Sequence, residues 1–303
     1  MNNKLIVKFG LVGLLVLAAA VVGGAAGIKE IPSQARAQEE DPADGLYFLR
    51  LADKKALALP ELIRELTPAR LVFIGESHDQ EAHHRAQLAV IKGLVEAGRK
   101  VAVGLEMFRQ ESQAELDRWV SGELPLQEFL KVYYDNWTLP WPLYRDILVY
   151  ARDQGLPLIG LNIPRAITRK VARSGFDSLD REELAQLPPI RCDVDPEYED
   201  FIRRALAGHG HGGLSFTYFC EAQVVWDTAM ARRLAAFLKD HPQTVVTVLA
   251  GSGHAWKQGI PRRVREAGRF PFKVILPGSS GGQAREGLGI QDTDYVWQSS
   301  GNS

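Results

Sequence analysis

The chain has 303 residues, 46% of them hydrophobic, and a formal net charge of −1. That length suits one large domain with a small appendage, and so even a charge argues against a surface built to grip nucleic acid or an acidic membrane. Two cysteines, Cys192 and Cys220, are too few for a disulfide framework or a thiolate zinc site, and their spacing leaves open whether they pair.

The first element is a leader. Lys4 and Lys8 precede an uncharged stretch over residues 9–28, long enough to cross a bilayer at about 20 residues. Ala35-Arg36-Ala37 then forms an A-x-A cleavage pattern. Residues 1–37 read either as a signal peptide cut after Ala37 or as an uncleaved membrane anchor. Both readings export the body, to the periplasm or to the outer side of the cytoplasmic membrane, and in the second the inner membrane becomes a partner. Residues 38–45 continue a polar linker marked by Pro42 and Gly45.

From residue 46 apolar runs alternate with amphipathic segments. The runs cover residues 71–74, 101–105, 156–161, 244–250 and 272–276. Each is short, rich in Val, Ile and Leu, and fits a strand buried on both faces of a parallel sheet. Residues 83–97 place apolar side chains at near-helical spacing and stop at Gly98, so strand, helix and strand form a crossover unit. The pattern predicts an α/β fold, a mostly parallel central sheet flanked by helices. Two insertions without strands, at about 110–151 and 164–212, follow the second and third strands. They read as a small helical cap domain over one end of the sheet, or as two separate surface insertions.

Ligands bind at the carboxyl ends of the strands in an open parallel sheet. Here the first strand ends in Gly75-Glu76-Ser77-His78 and the second in Gly104-Leu105-Glu106. The third ends in Leu161-Asn162-Ile163-Pro164-Arg165 and the fourth in Gly251-Ser252-Gly253-His254. Ionisable groups beside buried strands are costly unless partnered, so four such ends predict one site. Its two histidines share the frame G-x-x-H, in which glycine permits a sharp turn and close approach. Glu76, His78, Glu106 and His254 could hold a divalent transition metal or act as a metal-free acid/base set. A third reading is a pair of buried Glu–His ties that only join strands.

Asn162 and Arg165 are supporting candidates that either brace the glutamates or bind an anionic group. Glu221 opens a helix and could reach the site or face the helix dipole. His83 and His84, near the start of the first helix, could be ligands, with half-exposed side chains the plainer expectation. His209 and His211, in the string GHGHGG at 208–213, suggest a loop open to metal or haem.

Six motifs carry a resemblance: GESH (75–78) followed by HHRAQ (83–87), GLEMF (104–108), LNIPR (161–165), AQVVWDTAMA (222–231) and AGSGH (250–254). In this order they resemble the ChaN-like haem-binding family of the Tiki superfamily, over about residues 71–264. The resemblance implies an exported α/β protein that binds haem in iron uptake. The superfamily's metal-dependent peptidases imply the alternative, a hydrolase using Glu76, His78, Glu106 and His254. Haem ligation in the family is similar to tyrosinate ligation at a protein–protein surface, which leaves a homodimer open as a partner. Tyr133, Tyr134, Tyr144 and Tyr218 are the candidates to meet the iron. Family members are often lipoproteins, and no cysteine follows the apolar run here to carry a lipid.

Overall fold

The hexapeptide LVFIGE of β3 (Leu71–Glu76) is buried over its whole length. It lies between two other strands: β6 (Thr244–Gly251), buried at all eight positions, and β7 (Phe272–Pro277). The structure, a computed structural model, describes residues 46–205, 215–280, 283–284 and 288–299. The leader and linker expected over residues 1–45, and His209 and His211, lie outside the described residues.

In chain order the remaining elements begin with β1 (Leu46–Arg50), β2 (Lys55–Ala58) and α1 (Leu59–Leu66). After β3 come α2 (Glu81–Glu96) and β4 (Lys100–Arg109), then α3 (Gln113–Val120), α4 (Leu126–Asn136) and α5 (Pro142–Asp153). β5 (Leu158–Asn162) leads into α6 (Arg165–Ser174), α7 (Arg181–Ala185), α8 (Pro196–Ala205) and the long α9 (Phe216–Asp240). Beyond β6 lie α10 (Ser252–Ala255) and α11 (Ile260–Ala267), and beyond β7 a small ribbon of β8 (Ser279–Ser280) and β9 (Gln283–Ala284) and the final strand β10 (Tyr295–Ser299).

The sheet has eight strands in the order β2-β1-β10-β7-β3-β6-β4-β5. From β10 to β5 every pairing is parallel; β1 is antiparallel to both its neighbours. The fold is therefore α/β, with a mostly parallel sheet flanked by helices, as the sequence pattern predicts. Strands β1, β2 and β10 were not expected. β1 and β2 are short with burial patterns too mixed to register as apolar runs, and β10 buries Tyr295, Val296 and Trp297, an apolar stretch too short to stand out before Gln298. The strand expected over 156–161 begins at Leu158, because the Leu156 N–H still donates to Ala151 O and closes α5.

Side-chain alternation divides the core in two. Val72 and Ile74 of β3 join Val101, Val103 and Leu105 of β4 under α1, α2 and α5. Leu71 and Phe73 join Ala102, Val246 and Val248 on the opposite face, against α9 and α11. The aromatic residues Trp119, Phe129, Tyr133, Trp141 and Tyr144 of the first insertion pack into the α2-side core. By the same alternation Glu76 leaves β3 towards the α2 side and Glu106 leaves β4 towards the α9 side. Gly160 allows β5 to reach the end of β4: a Cβ there would stand 2.4 Å from Arg109 O, at the irregularity where the register of the pair shifts between Leu105 and Arg109. Among the described residues no helix is long and apolar enough to cross a membrane.

Candidate functional site

One arm of the site comes from the α2 side of the sheet. Glu76, at the end of β3, is buried and both its carboxylate oxygens are engaged. Oε1 accepts from His78 Nδ1 at 2.7 Å and from the Tyr144 hydroxyl at 2.5 Å; Oε2 accepts from Gln87 Nε2 at 2.7 Å, with His84 Nδ1 at 3.3 Å. Gln87 also donates to Ile74 O, which fixes α2 against β3. Burial alone would push the Glu76 carboxyl up, but the hydrogen bonds from His78 and His84 outweigh it and hold the group well below the usual carboxylate range. Burial lowers His78 in turn, yet its bond to Glu76 and the charges of Glu106 and Glu76 raise it to about 9. His84 faces acceptors from both nitrogens, Glu76 and Gln87 on one side and His78 O at 3.1 Å on the other. That arrangement suits an imidazolium, and the bond to Glu76 raises its pKa against the lowering effect of burial.

The second arm comes from the α9 side. His254, in the single turn α10 after β6, donates from Nδ1 to Asp227 Oδ1 at 2.6 Å. Asp227 sits in the middle of α9 with no solvent exposure, and its Oδ2 accepts from the Tyr198 hydroxyl of α8 at 3.0 Å. Burial lowers His254, but the charges of Glu106 and Asp227 raise it above the ordinary histidine value. Burial pushes Asp227 up more than His254 and Tyr198 pull it down. The pair thus keeps a proton between carboxylate and ring, on Nδ1.

The arms repeat one design: tyrosine, carboxylate, imidazole, and a tryptophan against the ring. Trp137 meets His78 edge-on at 5.0 Å between centroids and Trp226 meets His254 at 4.8 Å. With both Nδ1 protons committed, Nε2 is the working nitrogen of each ring. The arms meet at Gly251 and Glu106. A Cβ on Gly251 would lie 3.0 Å from His78 Nε2 and 3.6 Å from Glu106 Oε2, so the missing side chain is what lets the ring lie there. The Gly251 N–H donates to Glu106 Oε2 at 2.7 Å, while Oε1 lies 3.8 Å from His254 Nε2 and takes no hydrogen bond from the described residues. Solvent reaches the cluster at His78, whose side chain is 34% exposed.

The supporting candidates divide. Asn162 braces: its Nδ2 donates to Glu106 O and its Oδ1 accepts from Trp226 Nε1 and Ile163 N. Arg165 donates to Asn136 O and lies 5.9 Å over the Trp137 ring, beside His78. Glu221 is not at the site; its Oε2 accepts from the Phe176 N–H and holds the turn after α6. His83 and His84 are buried rather than half-exposed, because α2 is covered by α1 and α5 as well as by the sheet, and His83 Nδ1 accepts from Ser77 N.

The tyrosines divide too. Tyr144 is buried on Glu76, and Tyr133 is buried with its hydroxyl donating to Leu139 O. Tyr134 is 51% exposed, with its hydroxyl accepting from Trp141 N. Tyr218, 37% exposed in the first turn of α9, has a hydroxyl with no partner among the described residues. Its ring packs over Gly175, where a Cβ would come within 2.8 Å.

Sequence reasoning missed Gln87, Tyr198 and the role of Asp227. The usable signal was Asp227 itself, a carboxylate three residues after Val224 on a helix face otherwise apolar, where a lone charge demands a partner.

Among the described residues no group of three or more His, Cys, Asp or Glu is placed to hold an ion; the Nδ1–carboxylate bonds of His78 and His254 leave Nε2 as the nitrogen of each ring open to a ligand.

Fold and cluster together define a class: an open α/β sheet whose carboxyl rim gathers acids and imidazoles from both of its faces. Residues 62–264 match the family described as haem-binding uptake, Tiki superfamily, ChaN, and the chain belongs to that family. Among solved structures, one described as cofacial heme binding to ChaN of Campylobacter jejuni is similar in fold. Its TM-score is 0.66 with 21% sequence identity, over 84% of this chain and 97% of that one. The protein RETICULATA-RELATED 5, chloroplastic, of Arabidopsis thaliana is 25% identical over 231 residues, which is 70% of this chain. The chain spans 31% of the length of that relative.

Proposed function

We propose that this chain binds haem as an exported protein of haem or iron uptake, and that Tyr218 meets the iron. Family membership supports haem as the ligand. The observation that carries the residue is that Tyr218, alone among the four candidate tyrosines, combines exposure with a hydroxyl free of described partners. A phenolate oxygen is a suitable donor to ferric haem. Phe176, next to the glycine under the Tyr218 ring, lines an apolar cleft of about 320 Å³ with Leu184, Leu187, Pro188, Pro189 and Ile190. Such a surface offers a porphyrin face apolar contact beside the ligand. The proposal places the chain outside the cytoplasm on the strength of residues 1–37, and a haem-bridged homodimer belongs to the same reading. Hemin titration of the full chain should give a saturable Soret shift at micromolar haem, lost in Tyr218→Phe and kept in Tyr134→Phe. A shift unaffected by Tyr218→Phe rejects that ligand, and no saturable shift rejects the function. Light scattering with and without haem reads the dimer, and N-terminal sequencing of the cell-extracted protein reads the cleavage.

A second reading is favoured by one observation, that Glu106 Oε1 takes no hydrogen bond from the described residues and lies 3.8 Å from His254 Nε2. In this reading the cluster is a metal-free hydrolytic site. Glu76 is saturated with donors and orients His78, so it is a poor base. Glu106 accepts a proton from water, and the Nε2–H of His78 or His254 stabilises negative charge on the substrate oxygen or protonates the leaving group. A screen of ester and peptide substrates with wild type, Glu106→Gln and His78→Ala tests it; activity equal in all three would reject it.

A further inference from the structure

Nothing in the acid–base reading accounts for Asp227, Tyr198 and Arg263, which form a buried line behind His254. Asp227 bonds the His254 Nδ1 at 2.6 Å on one oxygen and the Tyr198 hydroxyl at 3.0 Å on the other. The Arg263 guanidinium lies 5.2 Å from the Tyr198 ring centre, is itself buried, and pairs with Glu266 at 3.1 Å. We propose that Asp227 is a positioning residue for the site, fixing the His254 ring so that Nε2 faces Glu106, with Tyr198 fixing Asp227 in turn.

The geometry carries this. An imidazole on a four-residue turn has two orientations related by a ring flip, and only one puts a nitrogen 3.8 Å from Glu106 Oε1. A carboxylate on Nδ1 selects that orientation and its tautomer. The tie comes from α9, an element packed against β5, β6, α6 and α11, so the carboxylate is anchored independently of the turn that carries the ring. The first arm obeys the same logic, with Tyr144 holding Glu76 and Glu76 holding His78. Two histidines are then oriented from opposite faces of the sheet, His254 with Nε2 towards Glu106 and His78 with its ring against Gly251. This role rests on the acid–base reading for its purpose, but the orientation can be read without it.

The test uses the full chain labelled with 15N at histidine. His254 should show a proton on Nδ1 far downfield, assigned by its loss in His254→Ala. Asp227→Asn should move that resonance upfield, Asp227→Glu should restore it, and the His78 resonance should stay in place in both variants. With p-nitrophenyl acetate as probe ester, Asp227→Asn should lower kcat about 100-fold, the scale of one general acid–base group. KM should stay within about threefold of wild type, since the loss is not of ground-state binding. The proposal is overturned if His254 carries no proton on Nδ1, or if its Nδ1 signal survives Asp227→Asn unchanged. It is also overturned if kcat is the same in that variant as in an active wild type. An inactive wild type that shows the signal and its response removes the hydrolytic reading and upholds the orienting role.

Discussion

Glu76 ends β3 and Glu106 stands in β4 just past Leu105, where pairing with β6 stops; each is almost fully buried, yet their surroundings assign them different work. Glu76 has donors on both oxygens and is anchored as an anion, whereas Glu106 keeps one oxygen without a hydrogen bond. Tyr144→Phe should therefore destabilise the protein by about 1.5–3 kcal/mol in urea unfolding at neutral pH, the range for a hydrogen bond to a charged group. Gly251→Ala acts on geometry instead. Its φ of −51° suits any residue, so the cost is steric, from a methyl 3.0 Å from the His78 ring. Expected are a loss of about 1–3 kcal/mol from overpacking and a displaced His78 resonance by NMR. At this scale the two histidines and two glutamates were legible because each follows or ends an apolar run with glycine beside it. Gln87, Tyr198 and the role of Asp227 were hidden, because they come from helices, where a buried position ordinarily means packing.

Elements were legible in proportion to how completely they are buried. The central strands β3, β4 and β6 stand out as unbroken Val, Ile and Leu runs because helices cover both faces. Strands β1, β2 and β10 do not, since the mixed burial of LYFLR and KALA and the short apolar stretch of YVWQS look like many other segments. One element boundary depends on a single atom. Gly160 lets the Arg109 carbonyl come close to β5, and Gly160→Ala would place a methyl 2.4 Å from that oxygen. Backbone cannot yield as a flexible side chain can. The variant should lose about 1–3 kcal/mol, read as a lower Tm, and its effect should extend to Asn162 and its bond to Glu106.

For the whole molecule the buried ion pairs set a pH range. Glu76 is lowered from an ordinary 4.5, so its contribution is present above that value and is lost as pH falls well below it. His78 is raised from 6.5 to about 9, so its contribution is complete below 6.5 and disappears as pH rises through 9. His84 and His254 are raised as well and act in the same direction. Thermal melts should show greatest stability between 4.5 and 6.5 and a decline towards 9. That alkaline decline should be shallower in Glu76→Gln, which no longer favours the protonated rings; an unchanged slope would disprove the account.

The half-sheet β2-β1-β10-β7 bears on how the protein can be handled. It lies outside residues 62–264, so the family match covers the strands that build the cluster and not those that complete the sheet. Because β1 runs against its neighbours, Leu46 pairs with Ser299, and both stand on the rim where the parallel strands discharge their acids and imidazoles. Three strand spacings separate β1 from β3, about 15 Å at ~4.8 Å each. A tag, fusion partner or solid support joined directly at residue 46 or residue 299 would start on that crowded rim. Binding and turnover assays are therefore best run with the attachment removed or carried on a long spacer.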